Sequence, residues 1–147
     1  MTMAGGRHIL AGVLALLLPV AAHATGNADC AIEEPGLKVA FEALYSYGGS
    51  GEVFQAHASI ELTDPKRPPG NWIFEMDGSV LQQQWVLRDD FRLLLYKERE
   101  GADMVLEIQA KRSTSDDNAF EGVYKLVIGP SDGSLFSRTG KVACSAG

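Results

Sequence analysis

Acid–base chemistry near neutral pH most often recruits histidine. The chain has three histidines, and His57 is the one that lies beyond the first 24 residues. It stands between Ala56 and Ala58 on the polar side of an alternating stretch, the setting of a surface histidine. One histidine cannot build a two-histidine metal site, and no Gly-x-Ser-x-Gly elbow accompanies it. Gly49-Ser50-Gly51 reads as a flexible hairpin. Cys-x-x-Cys, phosphate-loop and Gly-x-Gly-x-x-Gly patterns are absent from the sequence. Asp116-Asp117-Asn118 is rich in oxygen but lacks the spaced ligands and terminal glutamate of a dedicated calcium loop. The expectation is a chain with no cofactor, no metal and no catalytic constellation. Paired carboxylates drawn from different strands, as in glycoside hydrolysis, leave no trace in spacing.

Cys30 and Cys144 are the two cysteines of the chain. An even count in an exported protein reads as a disulfide, which takes both thiols out of nucleophilic chemistry. Such a bridge would tie the two ends of the mature chain together.

Two groups of residues could instead bind a partner. Lys66-Arg67-Pro68-Pro69 is expected to be a stiff, extended, cationic loop, suited to an acidic or aromatic partner. Gln82-Gln83-Gln84-Trp85 would suit sugar or peptide recognition if exposed, with Gln83 and Trp85 as the contacts. The competing reading places Trp85 in the core, paired with Trp72 across an Asp77-Gly78 hairpin.

The elements that must position these groups begin after a leader. Arg7 and His8 precede an apolar run from Ile9 to Ala22, and Ala22-His23-Ala24 offers small residues where signal peptidase cuts. This is the pattern of a secretory signal peptide over 1–24, too short for a membrane span. The chain carries 13 Lys and Arg against 19 Asp and Glu, a formal charge of −6. Loss of the leader removes Arg7 and makes the product one unit more negative. Such a protein is repelled by phosphate backbones and anionic lipid, which disfavours nucleic acid as a partner.

Residues 25–36 read as an N-terminal extension holding Cys30, and 37–147 as a single β domain. Alternation with period two recurs along that domain. Phe54, Ala56, Ala58, Ile60 and Leu62 share one face, and so do Met104, Leu106, Ile108 and Ala110. Phe120, Gly122, Tyr124, Leu126 and Ile128 repeat the pattern. Residues 72–77 and 80–87 are weaker strands, 91–97 is apolar on both faces, and 135–144 is a polar strand with Gly140 as a bulge. Leu37, Val39, Phe41, Ala43 and Tyr45 fit a strand, although 37–46 also fits a helix. Short links rich in Gly, Asp and Pro favour sequential antiparallel hairpins, with Asp77-Gly78 the strongest hairpin signal.

About eight strands at this spacing imply an all-β meander closed or partly closed into a small barrel. Glu121-Gly122-Val123-Tyr124-Lys125-Leu126 resembles the tyrosine-corner strand of the immunoglobulin-like β-sandwich, the alternative architecture, with Leu126 where a cysteine often stands. That resemblance would make Trp72 the buried tryptophan of the sandwich.

The function these features favour is an exported, non-catalytic binding module, inhibitor- or chaperone-like, recognising a protein or glycan in the periplasm or outside the cell. Two alternatives stand beside it. One is a carrier holding a small apolar ligand in a cavity lined by Phe54, Ile60, Trp72 and Tyr124. The other is an unrecognised hydrolase.

Overall fold

A computed structural model describes residues 25–46, 53–99, 101–130 and 135–147. The leader, the expected Gly49-Ser50-Gly51 hairpin and residues 131–134 lie outside the described residues. The chain forms strands β1 (Thr25–Glu34), β2 (Leu37–Ser46), β3 (Val53–Leu62), β4 (Ile73–Asp77), β5 (Leu81–Leu87), β6 (Asp90–Arg99), β7 (Ala102–Arg112), β8 (Ala119–Pro130) and β9 (Phe136–Ala146). They make one antiparallel sheet of nine strands in the order β4-β3-β2-β1-β9-β8-β7-β6-β5. The sheet curls into a half-barrel, so the all-β, partly closed barrel holds and the two-sheet sandwich does not. Residues 25–34 supply the additional strand: the expected extension is β1, paired with β2 on one side and β9 on the other. Residues 37–46 are strand and not helix.

Alternation decides which side chains enter the core. Met104, Leu106 and Ile108 of β7 stand opposite Ile128, Leu126 and Tyr124 of β8, and all six are buried. Phe91, Leu93 and Leu95 of β6 join the same inner face, while Arg92, Leu94 and Tyr96 on the other face are half-buried. The expected double burial of β6 fails because a single sheet has no second layer to cover its outside. Full burial of a Leu, Ile or Phe side chain contributes about 1.5–3 kcal/mol each, so this inner face holds the curl together.

Two departures from strict alternation matter. Gln55 adopts a left-handed backbone (φ +51°) where the β2–β3 register slips by one residue. This bulge reverses the phase of the strand start. Val53 is therefore buried and Phe54 points away from the face of Ala58 and Ile60, contrary to the sequence reading. Gly140 makes no bulge; it pairs in register with Tyr124.

The Asp77-Gly78 hairpin does not form. Asp77 caps a single 3-10 turn, Gly78–Val80, by accepting the Ser79 amide over 2.9 Å. The chain crosses there from one edge strand, β4, to the other, β5, and the two do not pair. Side chains bridge the opening instead. The Gln84 amide on β5 accepts from the Val53 amide and donates to the Val53 carbonyl at 2.8 Å, taking the place of a ladder rung. Further along, the Arg99 guanidinium at the end of β6 sits 4.2 Å from the Phe74 ring centroid and 5.6 Å from that of Trp72.

Cys30 and Cys144 face each other directly on β1 and β9, and their sulfurs are bonded, with Cα atoms 4.0 Å apart. The bridge lies on the buried face and joins the first strand to the last.

Candidate functional site

Three polar residues occupy inward positions at one end of the half-barrel. Glu34 follows Ala28, Cys30 and Ile32 along β1, Arg138 precedes Val142 and Cys144 on β9, and Tyr124 lies on β8. Strand parity sends all three to the inside, where each needs a partner. The Tyr124 hydroxyl donates to Glu34 Oε2 over 2.8 Å. Arg138 donates to Glu34 Oε2 at 3.2 Å, to the Pro35 carbonyl at 2.8 Å and to Asp64 Oδ2 at 2.9 Å. Gly140 leaves the room: a Cβ there would lie 2.0 Å from Glu34 Oε1 and 2.8 Å from the Tyr124 ring.

Electrostatics follow from these contacts. The Tyr124 hydrogen bond, with help from Arg138, holds the Glu34 carboxyl below its usual range against an opposing cost of burial. Burial, reinforced by the Glu34 carboxylate, pushes the Tyr124 hydroxyl up to about 12. Glu34 is thus ionised and Tyr124 a fixed donor at neutral pH. One guanidinium serves the two carboxylates of Glu34 and Asp64, and the cluster fastens β1, β8, β9 and the 63–72 loop together.

The cluster also places the 63–72 loop. Pro35 and Gly36 turn β1 into β2, and Gly36 takes φ +80°, which glycine adopts without strain. The Gly36 carbonyl accepts the amides of Thr63 at 2.8 Å and Asp64 at 3.1 Å. Asp64 accepts the Lys66 amide at 2.8 Å, and its carbonyl accepts the Arg67 amide at 3.0 Å. The expected extended loop therefore starts as a tight turn. Its far side is held by buried Trp72, whose indole N–H donates to the Pro68 carbonyl at 3.0 Å. Lys66, Arg67, Pro68 and Pro69 then face the start of β9 across an open cavity of about 530 Å³, completed by Asp64, Leu135, Phe136, Ser137 and Arg138, with the Asp64 carboxylate held by Arg138. No carboxylate among the described residues pairs with the charged head of Lys66 or Arg67.

The other sequence candidates lie elsewhere. Gln83 and Trp85 are exposed on the outer face of β5, so the core reading of Trp85 and its pairing with Trp72 are overturned. The reason is parity: Val86 takes the inward position on β5. The two candidate pairs share no cavity. His57 contacts Glu75 at 3.0 Å with both side chains more than half exposed, at 55% and 74%. Asp116 is spent on its own turn, accepting the Asn118 amide at 2.9 Å. Among the described residues no group of three His, Cys, Asp or Glu side chains is placed to hold a metal ion. Among the same residues no helix is long and apolar enough to cross a membrane.

Sequence reasoning reached Lys66 and Arg67 but missed Glu34, Asp64 and Arg138, and named Tyr124 as a cavity-lining and tyrosine-corner residue without its carboxylate partner. The signal was present in part: Arg138 and Glu34 fall on the inward parity of their strands, where an isolated charge is not tolerated. Tyr124 forms no tyrosine corner, because its hydroxyl meets a carboxylate from another strand and not the upstream backbone. No protein-family model, curated protein or solved structure matches the chain.

Proposed function

We propose that the protein is an exported, non-catalytic binding module that captures a partner protein through acidic groups, using the cavity beneath Lys66 and Arg67. The observation that carries this reading is a loop of held backbone on an acidic chain, presenting two cations that pair with no carboxylate among the described residues. The loop that bears them is tied to the scaffold through Gly36, Asp64–Arg138 and Trp72. Binding therefore costs little ordering entropy, which is where preorganised sites gain affinity. Pro69, Leu135 and the half-buried Phe136 add apolar surface beside the charge, the combination usual at interface centres. A disulfide-stapled β scaffold is compatible with an oxidising compartment, in line with the leader.

The test is affinity capture by the mature protein from its own envelope and medium, read by mass spectrometry and then by binding to the purified partner. Lys66→Ala/Arg67→Ala should weaken the partner by about tenfold or more, the loss expected for desolvated charge pairs. Its melting temperature should stay that of the parent. Unchanged capture by the double variant would remove this cavity from the function.

A further inference from the structure

A second surface, sharing no residue with the Lys66–Arg67 cavity, stands on the outside of β5, β6 and β7. Register sets its composition. Trp85, Arg92 and Gln109 are opposite one another in one cross-strand row, and Gln83, Leu94 and Glu107 form the next. They surround an open depression of about 210 Å³.

Trp85 stands at the β5 edge of this surface. It is 37% exposed, and the Arg92 guanidinium lies over its ring, 5.0 Å from the centroid. The core does not need it, because Val86 fills the inward position of β5. The side chains around the indole are planar and polar. The Gln83 and Gln109 amides, the Glu107 carboxylate and the Arg92 guanidinium each present paired donors or acceptors. Gln109 already donates to Glu107, which orients both groups. One acid and one base flank the platform, so it has no net charge of its own.

This chemistry matches a sugar ring. A pyranose offers a flat face of C–H groups to an aromatic ring and a rim of vicinal hydroxyls to forked polar groups. We propose that this face binds a neutral saccharide, with one pyranose packed against the Trp85–Arg92 pair and its hydroxyls held by Gln83, Gln109 and Glu107. The depression is open and lies across the three strands. The inference is independent of the acidic-partner reading, since neither surface contributes to the other.

Trp72 is buried with its N–H bonded, so tryptophan fluorescence of the folded protein reports ligand contact at Trp85. The mature protein should show saturable fluorescence change and saturable heat with at least one of cellotetraose, chitotetraose and mannotetraose at millimolar concentration. Trp85→Ala should abolish the fluorescence response and weaken the calorimetric affinity roughly tenfold, as loss of an aromatic stacking platform does for flat ligands. Trp85→Phe should retain part of the affinity, and Gln109→Ala should reduce it, with melting temperatures unchanged. No saturable heat with any of the three sugars would overturn the proposal. So would undiminished affinity in Trp85→Ala, or saturation by an uncharged peptide in place of the sugars.

Discussion

Tyr124 on β8 donates its hydroxyl to the Glu34 carboxylate on β1 over 2.8 Å, and the contact reaches across β9 through the gap left by Gly140. Removing either side of this arrangement should be felt in stability. Tyr124→Phe keeps the ring and deletes one hydrogen bond to a charged acceptor, a loss of about 2 kcal/mol. Gly140→Ala forces the Glu34 carboxylate and the Tyr124 ring apart and should cost about 2–3 kcal/mol by overpacking. Urea denaturation of both variants measures this. A Gly140→Ala protein as stable as the parent would show that the cluster does not need the space.

The same pair sets a pH dependence with two limbs. The Glu34 pKa is lowered on folding, so its contribution is present above its ordinary 4.5 and is lost as pH falls through the lower folded value. The Tyr124 pKa is raised from 10.0 to about 12, so its contribution is complete below 10.0 and is lost as pH climbs through about 12. Melting temperature should therefore drop at both extremes. Tyr124→Phe should flatten the alkaline limb; Tyr96, which burial also raises, leaves part of it in place. An alkaline limb identical in parent and variant would contradict the assignment.

The Cys30–Cys144 bridge closes a loop of sequence separation 114. The chain-entropy account assigns such a loop up to about 4–5 kcal/mol, a model-dependent upper figure. Cys30→Ala/Cys144→Ala should lower the denaturant midpoint accordingly. Because β1 and β9 also pair by backbone and bury their inner face, the double variant should keep its β-sheet circular dichroism in the absence of denaturant. Full unfolding of the double variant would show that the sulfur link, and not the sheet, holds the first strand to the last.

Local pattern carried most of the fold. Period-two alternation located β3, β4, β5, β7 and β8 because a half-buried strand must place one residue in two against the core, whereas β6 was marked by an apolar run. The partner of Cys30 was legible because two cysteines in an oxidising compartment have one intramolecular pairing. The failures share a cause. Asp77-Gly78 has hairpin residues, yet its flanking strands sit at opposite edges of the sheet, a relation no short window contains. The phase of Phe54 was misread because Gln55 takes a left-handed conformation that neighbouring strands impose.

Composition and alternation by themselves determined that this chain is all-β and stapled between Cys30 and Cys144, while barrel and sandwich stayed open. They also placed Lys66 and Arg67 in an exposed loop. Tertiary structure alone decided that Glu34, Asp64, Tyr124 and Arg138 meet, and that Trp85 faces outward among Gln83, Arg92 and Gln109. The physical reason is range. Burial parity is set by residues two apart, whereas Tyr124 and Glu34 stand 90 positions apart and come together only when sheet closure brings β1 and β9 side by side.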